Sequence, residues 1–383
     1  MKKILCVFTG GTIGSVKVKD ESTQRYIIMQ PSEAAEKGYE NAKSLLLETF
    51  KEKNPSYDMD RITSDPVMEE LSENMVLSKI DTLINYFKNV DFKKYDGIII
   101  THGTDTLAYT SSIMSYVLAG VSIPVVFVSS NYEVTDPRAN GIKNLKTAID
   151  FIDKVGYPGV FATYSFNGVN KIIYGSRIGQ CLSIVDDFPY ISSQTPVMNP
   201  LGTMSDYGDY KVCDHELDFA LKYQQLGMEY LKKIGKLPTN ILKIDPYTGL
   251  NYDIYNLNNI STILHTCYHS GTACCAQIRA NNITDFIKKT QKYDIEFYYG
   301  PIYGKDSRDI YSTTKDICDS KAEILMNMTP EAAYAKLIVA SALYSKKAER
   351  DKFLYSTINN EYINGDNRTL LRKKWLIYIN NVL

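Results

Sequence analysis

The chain reads as a two-part α/β protein: a large N-terminal domain with a mostly parallel sheet flanked by helices, then a smaller C-terminal α/β domain. Three observations predict this. The apolar run Ile4–Thr9 ends in a Gly-Gly turn, as a buried first strand does. Gly97-Ile98-Ile99-Ile100-Thr101 is an unbroken β-branched run of the kind found in strands covered on both faces. Strand and helix patterns then alternate, which implies parallel neighbours joined by crossover helices.

The elements follow in order. Thr106 to Ala119 carries Leu107, Thr110, Ile113, Met114, Val117 and Leu118 on one stripe, with Gly120 as a stop. Pro124–Val128 is the next strand, residues 138–152 the next helix, and Gly159–Tyr164 a strand again. From Pro189 to Pro238 the rhythm breaks. Ser192-Ser193-Gln194-Thr195-Pro196 and Asn199-Pro200-Leu201-Gly202 precede an amphipathic pattern over Leu217–Ile234. A second unit starts near Ile241, with strands at Thr262–His265 and Ile295–Tyr299 and a helix opened by Thr329-Pro330-Glu331. The expected division is 1–190, a linker at 191–238, and 239–383. Trp375 is placed in a C-terminal helix with Leu371, Tyr378 and Ile379.

A length of 383 residues suits two cores, and 44% hydrophobic with 23% charged residues is ordinary for a globular protein. A net charge of -1, with both signs interspersed, carries no footprint for nucleic acid or anionic membrane. The run after Met1-Lys2-Lys3 is too short for a secretory signal, and no segment is long enough to span a bilayer. Seven cysteines show no disulfide framework, and Cys6 and Cys181 are read as thiols in apolar settings. A cytoplasmic location is expected.

Two segments carry chemistry. Thr9-Gly10-Gly11-Thr12-Ile13-Gly14 follows the first strand, where open α/β sheets bind ligands; glycines allow a close backbone approach and Thr12 presents a hydroxyl. The spacing is neither a dinucleotide fingerprint nor a phosphate loop. Thr101-His102-Gly103-Thr104-Asp105-Thr106 ends a second strand before a helix, whose N-terminus favours a carboxylate or an oxyanion. Thr104 and Asp105 are equally good helix caps, and that alternative stays open at this point.

Together, TGGTIG and THGTDT resemble the bacterial-type L-asparaginase family. Ser72-Glu73-Asn74-Met75 is similar to its substrate-binding segment. Asp136-Pro137-Arg138-Ala139-Asn140-Gly141 is similar to another family segment, with Asn140 where an aspartate is usual. Met328-Thr329-Pro330-Glu331-Ala332 matches the start of a C-domain helix. The resemblance implies conversion of L-asparagine to L-aspartate and ammonia without cofactor or metal. Thr12 is then the nucleophile, Tyr26 helps to remove its proton, and Thr104 handles water or the tetrahedral intermediate. Asp105 holds the substrate α-ammonium, Ser72 its α-carboxylate, and Gly11 and Gly103 expose backbone to the substrate. Glu73 departs from the family, where many relatives carry an uncharged residue; its extra carboxylate beside Asp105 would strengthen recognition of an ammonium group, the alternative being a solvated acid at a helix start. The resemblance also implies a homodimer or homotetramer acting on a small amino acid, with no nucleic-acid or membrane partner.

One departure stands out. The family's triad lysine falls five residues after a glycine, and in Gly175-Ser176-Arg177-Ile178-Gly179-Gln180 that position is Gln180, which accepts no proton usefully near neutral pH. Lys171 or Arg177 could substitute. A glutaminase-asparaginase and a catalytically impaired amino-acid-binding homologue are the alternatives. The ammonia-generating subunit of a tRNA-dependent amidotransferase is disfavoured because TGGTIG begins at residue 9. His265 and His269 lack the zincin glutamate and read as a packed strand end; His102 reads as structural.

Overall fold

The computed structural model describes residues 2–39, 44–182, 186–189, 202–204, 210–212, 226–303 and 310–362. β1 (Ile4–Gly10) leads through a 3-10 turn at Thr12–Gly14 into a hairpin of β2 (Val16–Lys19) and β3 (Tyr26–Met29). Helices α1 (Pro31–Glu36) and α2 (Leu46–Lys53) precede β4 (Ile62–Glu70), a second 3-10 turn at Ser72–Asn74, and α3 (Leu77–Lys88). Strand and helix then alternate: β5 (Gly97–Thr101), α4 (Leu107–Val117), β6 (Pro124–Val128), α5 (Gly141–Lys154) and β7 (Gly159–Phe166). β8 (Val169–Tyr174), β9 (Gly202–Met204) and β10 (Tyr210–Val212) follow, then the short α6 (Glu229–Lys233).

The sheet order is β10-β9-β8-β7-β6-β5-β1-β4. The five strands from β7 to β4 are parallel; β8, β9 and β10 add antiparallel to one edge. Alternation along the strands separates two faces. Ile4, Cys6, Ile99, Val126, Val128 and Phe161 pack in one layer with Leu46 and Phe50 of α2 and Leu145, Ile149 and Ile152 of α5. No α4 residue belongs to that layer; α4 touches α3 and covers the other face. The steps β5-α4-β6 and β6-α5-β7 move the same way across the sheet with their helices on opposite faces. The two crossovers therefore have opposite hands, and one departs from the right-handed rule.

The second unit is a sheet in sequence order, β11 (Ile241–Ile244), β12 (Thr262–His265), β13 (Glu296–Ile302) and β14 (Glu323–Met326), all parallel. Its helices are α7 (Ile283–Gln291), α8 (Ser312–Asp319), α9 (Pro330–Leu343) and α10 (Lys347–Tyr355). At the start of α9 the Thr329 hydroxyl accepts from the Ala332 N–H at 3.1 Å, with Pro330 in the first turn, as the sequence predicts. The first unit comprises the described residues up to Lys236, joined by Ile358–Glu361; the second runs from Leu237 to Thr357 with Tyr362.

Two readings need correction. The helix expected over Leu217–Ile234 is broken at Gly227 and Met228, both at φ 55°, so only Glu229–Lys233 is helical among its described residues. Residues 217–225 lie outside the described residues, as do the 192–201 segment and the helix around Trp375. Cys181 is half-buried and its setting is not purely apolar: burial first, then the charges of Asp186, Asp187 and Asp105, push its thiol up to about 11. Among the described residues no helix is long and apolar enough to cross a membrane.

Candidate active site at the β1–β5 switch point

From β1 the chain crosses to β4 on one side, whereas from β5 it crosses to β6 on the other. Connections that leave neighbouring strands in opposite directions open a crevice at their carboxyl ends, where α/β sheets bind ligands. Side chains tighten this edge beyond the backbone ladder. The Thr9 N–H donates to the Thr101 hydroxyl at 3.2 Å, and the Thr9 hydroxyl donates to the Thr101 carbonyl.

Three strand ends meet there. A methyl group on Gly11 would lie 2.5 Å from the His102 carbonyl carbon and 2.6 Å from Gly103 Cα. One on Gly103 would lie 2.6 Å from Ser72 Cβ and 3.2 Å from Gly11 Cα. Gly103 thus lies against both Gly11 and Ser72, and only residues without a side chain permit the first of these approaches. The Gly11 N–H also donates to the Glu70 carbonyl at 2.7 Å, tying the Thr12 turn to the end of β4.

Ser72 links this edge to α4. Its buried Oγ accepts from the Asp105 N–H at 3.2 Å, and its carbonyl accepts from the Thr106 hydroxyl at 2.8 Å. The Ser72 hydroxyl hydrogen is left to donate outward. The N-cap of α4 is Thr106, with no side-chain cap bond, so neither Thr104 nor Asp105 is the N-cap residue. Thr104 is half-buried and Asp105 exposed at this mouth, beside a helix N-terminus. His102 is fully buried and its Nδ1 bonds the Gly103 carbonyl at 2.8 Å. Burial depresses its pKa to about 4 against the opposing pull of that carbonyl and Asp105, so it is neutral near pH 7 and supports the loop.

Thr12 is half-buried in the turn after β1. Tyr26 is not gathered in: it lies on β3 opposite Lys19, 62% exposed, with the Lys17 ammonium 4.8 Å from its ring centroid. Glu73 is exposed in the turn beside Ser72. Among the described residues no group of three or more His, Cys, Asp or Glu side chains could hold a metal ion. His265 instead packs in the second unit, its ring nitrogens bonded to the Thr266 carbonyl at 2.6 Å and the Tyr252 hydroxyl at 2.9 Å.

The segment after β8 climbs back along α4. The Gly175 carbonyl accepts from the Ser111 and Ser112 hydroxyls at 3.0 and 3.1 Å, and Cys181 lies close enough to Asp105 to feel its charge. Gln180, the residue before Cys181, is exposed. The two cations that could replace a lysine each have a partner. Lys171 pairs with Asp187, and the buried Arg177 donates to the Asn360 carbonyl.

Asn131 and Gln30 were not singled out from the sequence, whereas Asn140 stood out for occupying a place where an aspartate is usual. Asn131 and Asn140 exchange backbone-to-side-chain bonds at 3.0 Å each, and Asn140 Nδ2 donates to the Ser165 carbonyl at 2.9 Å. Aspartate could not make that last bond. Gln30 reaches the Gly11 carbonyl. Its one signal in the sequence was its place before Pro31, a helix-start position that favours shorter polar residues.

The family model for the asparaginase N-terminal domain matches residues 3–180. The L-asparaginase of Thermococcus kodakarensis is 43% identical over 93 residues, 24% of this chain and 27% of that relative. A glutamyl-tRNA(Gln) amidotransferase component from Thermoplasma acidophilum is 25% identical over 298 residues, 75% of this chain and 67% of that relative. The match to the first of these relatives thus spans about a quarter of its length. Among solved structures, the thermostable L-asparaginase from Thermococcus kodakarensis superposes with a TM-score of 0.70 at 23% identity, covering 95% of this chain and 100% of that one.

Proposed function

Because residues 3–180 match the asparaginase N-terminal family model, we propose that the chain is an asparaginase-type amidohydrolase that hydrolyses the side-chain amide of L-asparagine, giving L-aspartate and ammonia, with Thr12 as the nucleophile. The observation that carries this reading is the contact of Gly103 with both Gly11 and Ser72. It brings the turns bearing Thr12, Thr104 and Asp105 to one crevice.

The substrate α-ammonium pairs with Asp105, aided by Glu73, and the α-carboxylate accepts from the Ser72 hydroxyl and from backbone N–H groups. The Thr12 oxygen attacks the side-chain amide carbon. Its proton passes by way of Tyr26 to the leaving nitrogen once the hairpin carries the ring inward. The carbon–nitrogen bond breaks, ammonia departs, and an aspartyl ester remains on Thr12. Water positioned by Thr104 adds to that ester, and its collapse frees aspartate and restores the threonine hydroxyl. Gln180 can only hydrogen-bond in this cycle. Proton transfer contributes about a hundred- to ten-thousand-fold where a base is present, so turnover is slow by this account.

Ammonia release from asparagine and glutamine, measured in parallel for the wild type and Thr12→Ala, tests the reading. Release from asparagine that disappears in the variant is expected; a variant as fast as the wild type would overturn it. The longer match to an amidotransferase component favours a second reading, in which glutamine is the preferred amide. A kcat/KM higher for glutamine than for asparagine would establish it. Aspartate binding by calorimetry with no ammonia from either amide would mark an impaired binding homologue, the outcome that Gln180 favours.

A further inference from the structure

The carbonyl preceding Thr12 gathers donors from three directions. Gly11 O accepts from the Gly14 N–H at 3.0 Å, from the Ser15 hydroxyl at 2.9 Å and from the Gln30 side-chain amide at 3.3 Å. The same Gln30 nitrogen donates to Ser15 Oγ at 2.8 Å. Turning the amide over would set Oε1 against the Gly11 carbonyl, acceptor to acceptor, so the bonds fix its orientation.

Gln30 is 3% exposed, and its Oε1 is buried without a hydrogen-bond partner among the described residues. An unpaired buried acceptor is costly, and the position offered a cheaper use. Gln30 is the N-cap of α1, yet its side chain makes no cap bond. It also stands at the root of the hairpin: Val16 pairs with Met29, so the Ser15–Gln30 bond is the next rung inward. β3 begins at Tyr26 and ends one residue before Gln30. One side chain therefore joins the base of the Tyr26 arm to the peptide that orients Thr12.

We infer that Gln30 is a positioning residue, which clamps the root of the β2–β3 hairpin to the Gly11 carbonyl, fixing the Thr12 turn and giving the Tyr26 arm a set anchor from which to swing. This rests on the reading of Thr12 as nucleophile. Gln30 touches no reacting atom; it acts through Gly11 and Ser15.

The test compares Gln30→Leu, Gln30→Glu and Ser15→Ala in the full chain. Misplacing a reacting group by about 1 Å can cost on the order of a hundredfold in rate. Gln30→Leu should therefore lower kcat for asparagine at least tenfold with KM within about twofold, while the melting temperature changes little. Ser15→Ala should add little on top of it, since both act at one carbonyl. Gln30→Glu supplies the readout that packing alone would not move. An ionised carboxylate repels the Gly11 carbonyl, whereas a protonated one donates to it, so activity relative to wild type should climb as pH falls from about 8 to about 5. Hydrogen exchange reads the clamp without turnover: in Gln30→Leu, the amides of residues 11–16 and 26–30 should accelerate together. Unchanged kcat in a folded Gln30→Leu, or exchange that quickens in neither segment or in only one, overturns the inference. If the wild type releases no ammonia, the amidohydrolase reading fails by itself and the exchange data still decide the clamp.

Discussion

Replacing Gly11 by alanine separates the geometry of the site from the general stability of the fold. The backbone at Gly11 has φ 78° and ψ 171°, a conformation that L-residues pay about 1–3 kcal/mol to adopt. The added methyl would also stand 2.5 Å from the His102 carbonyl carbon and 2.6 Å from Gly103 Cα, both backbone atoms with no rotamer to escape into. Restoring ordinary contact needs the two strand ends to part by roughly 1 Å, which breaks close packing along the β1–β5 edge at a further cost of about 1–3 kcal/mol. A total near 4 kcal/mol corresponds to roughly 8–16 °C in melting temperature for a unit of this size. The same displacement should lower ammonia release by about a hundredfold or more. Gly168→Ala is the control: its φ is also 78°, but nothing lies within 4 Å of its added methyl. It should cost only about 1–2 kcal/mol and leave activity unchanged. Thermal unfolding and ammonia release on both variants decide the matter. Gly11→Ala with wild-type rate, or no less stable than Gly168→Ala, would refute the close-approach argument.

Other outcomes follow from single residues. Asn140→Asp loses the bond to the Ser165 carbonyl and should destabilise by about 1–3 kcal/mol at neutral pH. Its carboxyl is raised in the folded state, so stability relative to wild type should recover as pH falls through that raised pKa in denaturant titrations. His102 and His265 are held down to about 4, below the ordinary 6.5. Their contribution is complete above 6.5 and is lost as pH falls toward 4, and imidazole NMR signals from both should stay in the neutral position at pH 5. Gln180→Lys should raise ammonia release about tenfold or more by restoring a proton carrier, and equal rates would remove any special role for that position.

Much of the first sheet was legible because β5 and β6 are buried on both faces and so read as continuous apolar runs. The placement of Thr12 and Thr104 at neighbouring strand ends followed from those runs and the glycines beside them. The hairpin bearing Tyr26 was not legible as a hairpin. Val16–Lys19 alternates over only four residues and Tyr26–Met29 does not alternate, and most of both strands is solvent-exposed, so no buried face extends the pattern. The capping alternative for Thr104 and Asp105 could not be settled from sequence, since Thr106 is a residue of the same capping type; it takes the N-cap place while its hydroxyl donates to the Ser72 carbonyl and not to the helix. Contacts between distant segments, such as Ser72 with Gly103 or Asn140 with Ser165, leave no local periodicity to read.

The most direct measurement asks which oxygen becomes acylated. Thr104→Ala, which should slow the water step more than the first attack, is mixed with asparagine, quenched in acid and digested for mass spectrometry. An aspartyl ester on the peptide that contains Thr12, absent when Thr12 is also alanine, is the result expected here. An adduct on another peptide, or brisk ammonia release by Thr12→Ala alone, would contradict the assignment of the nucleophile.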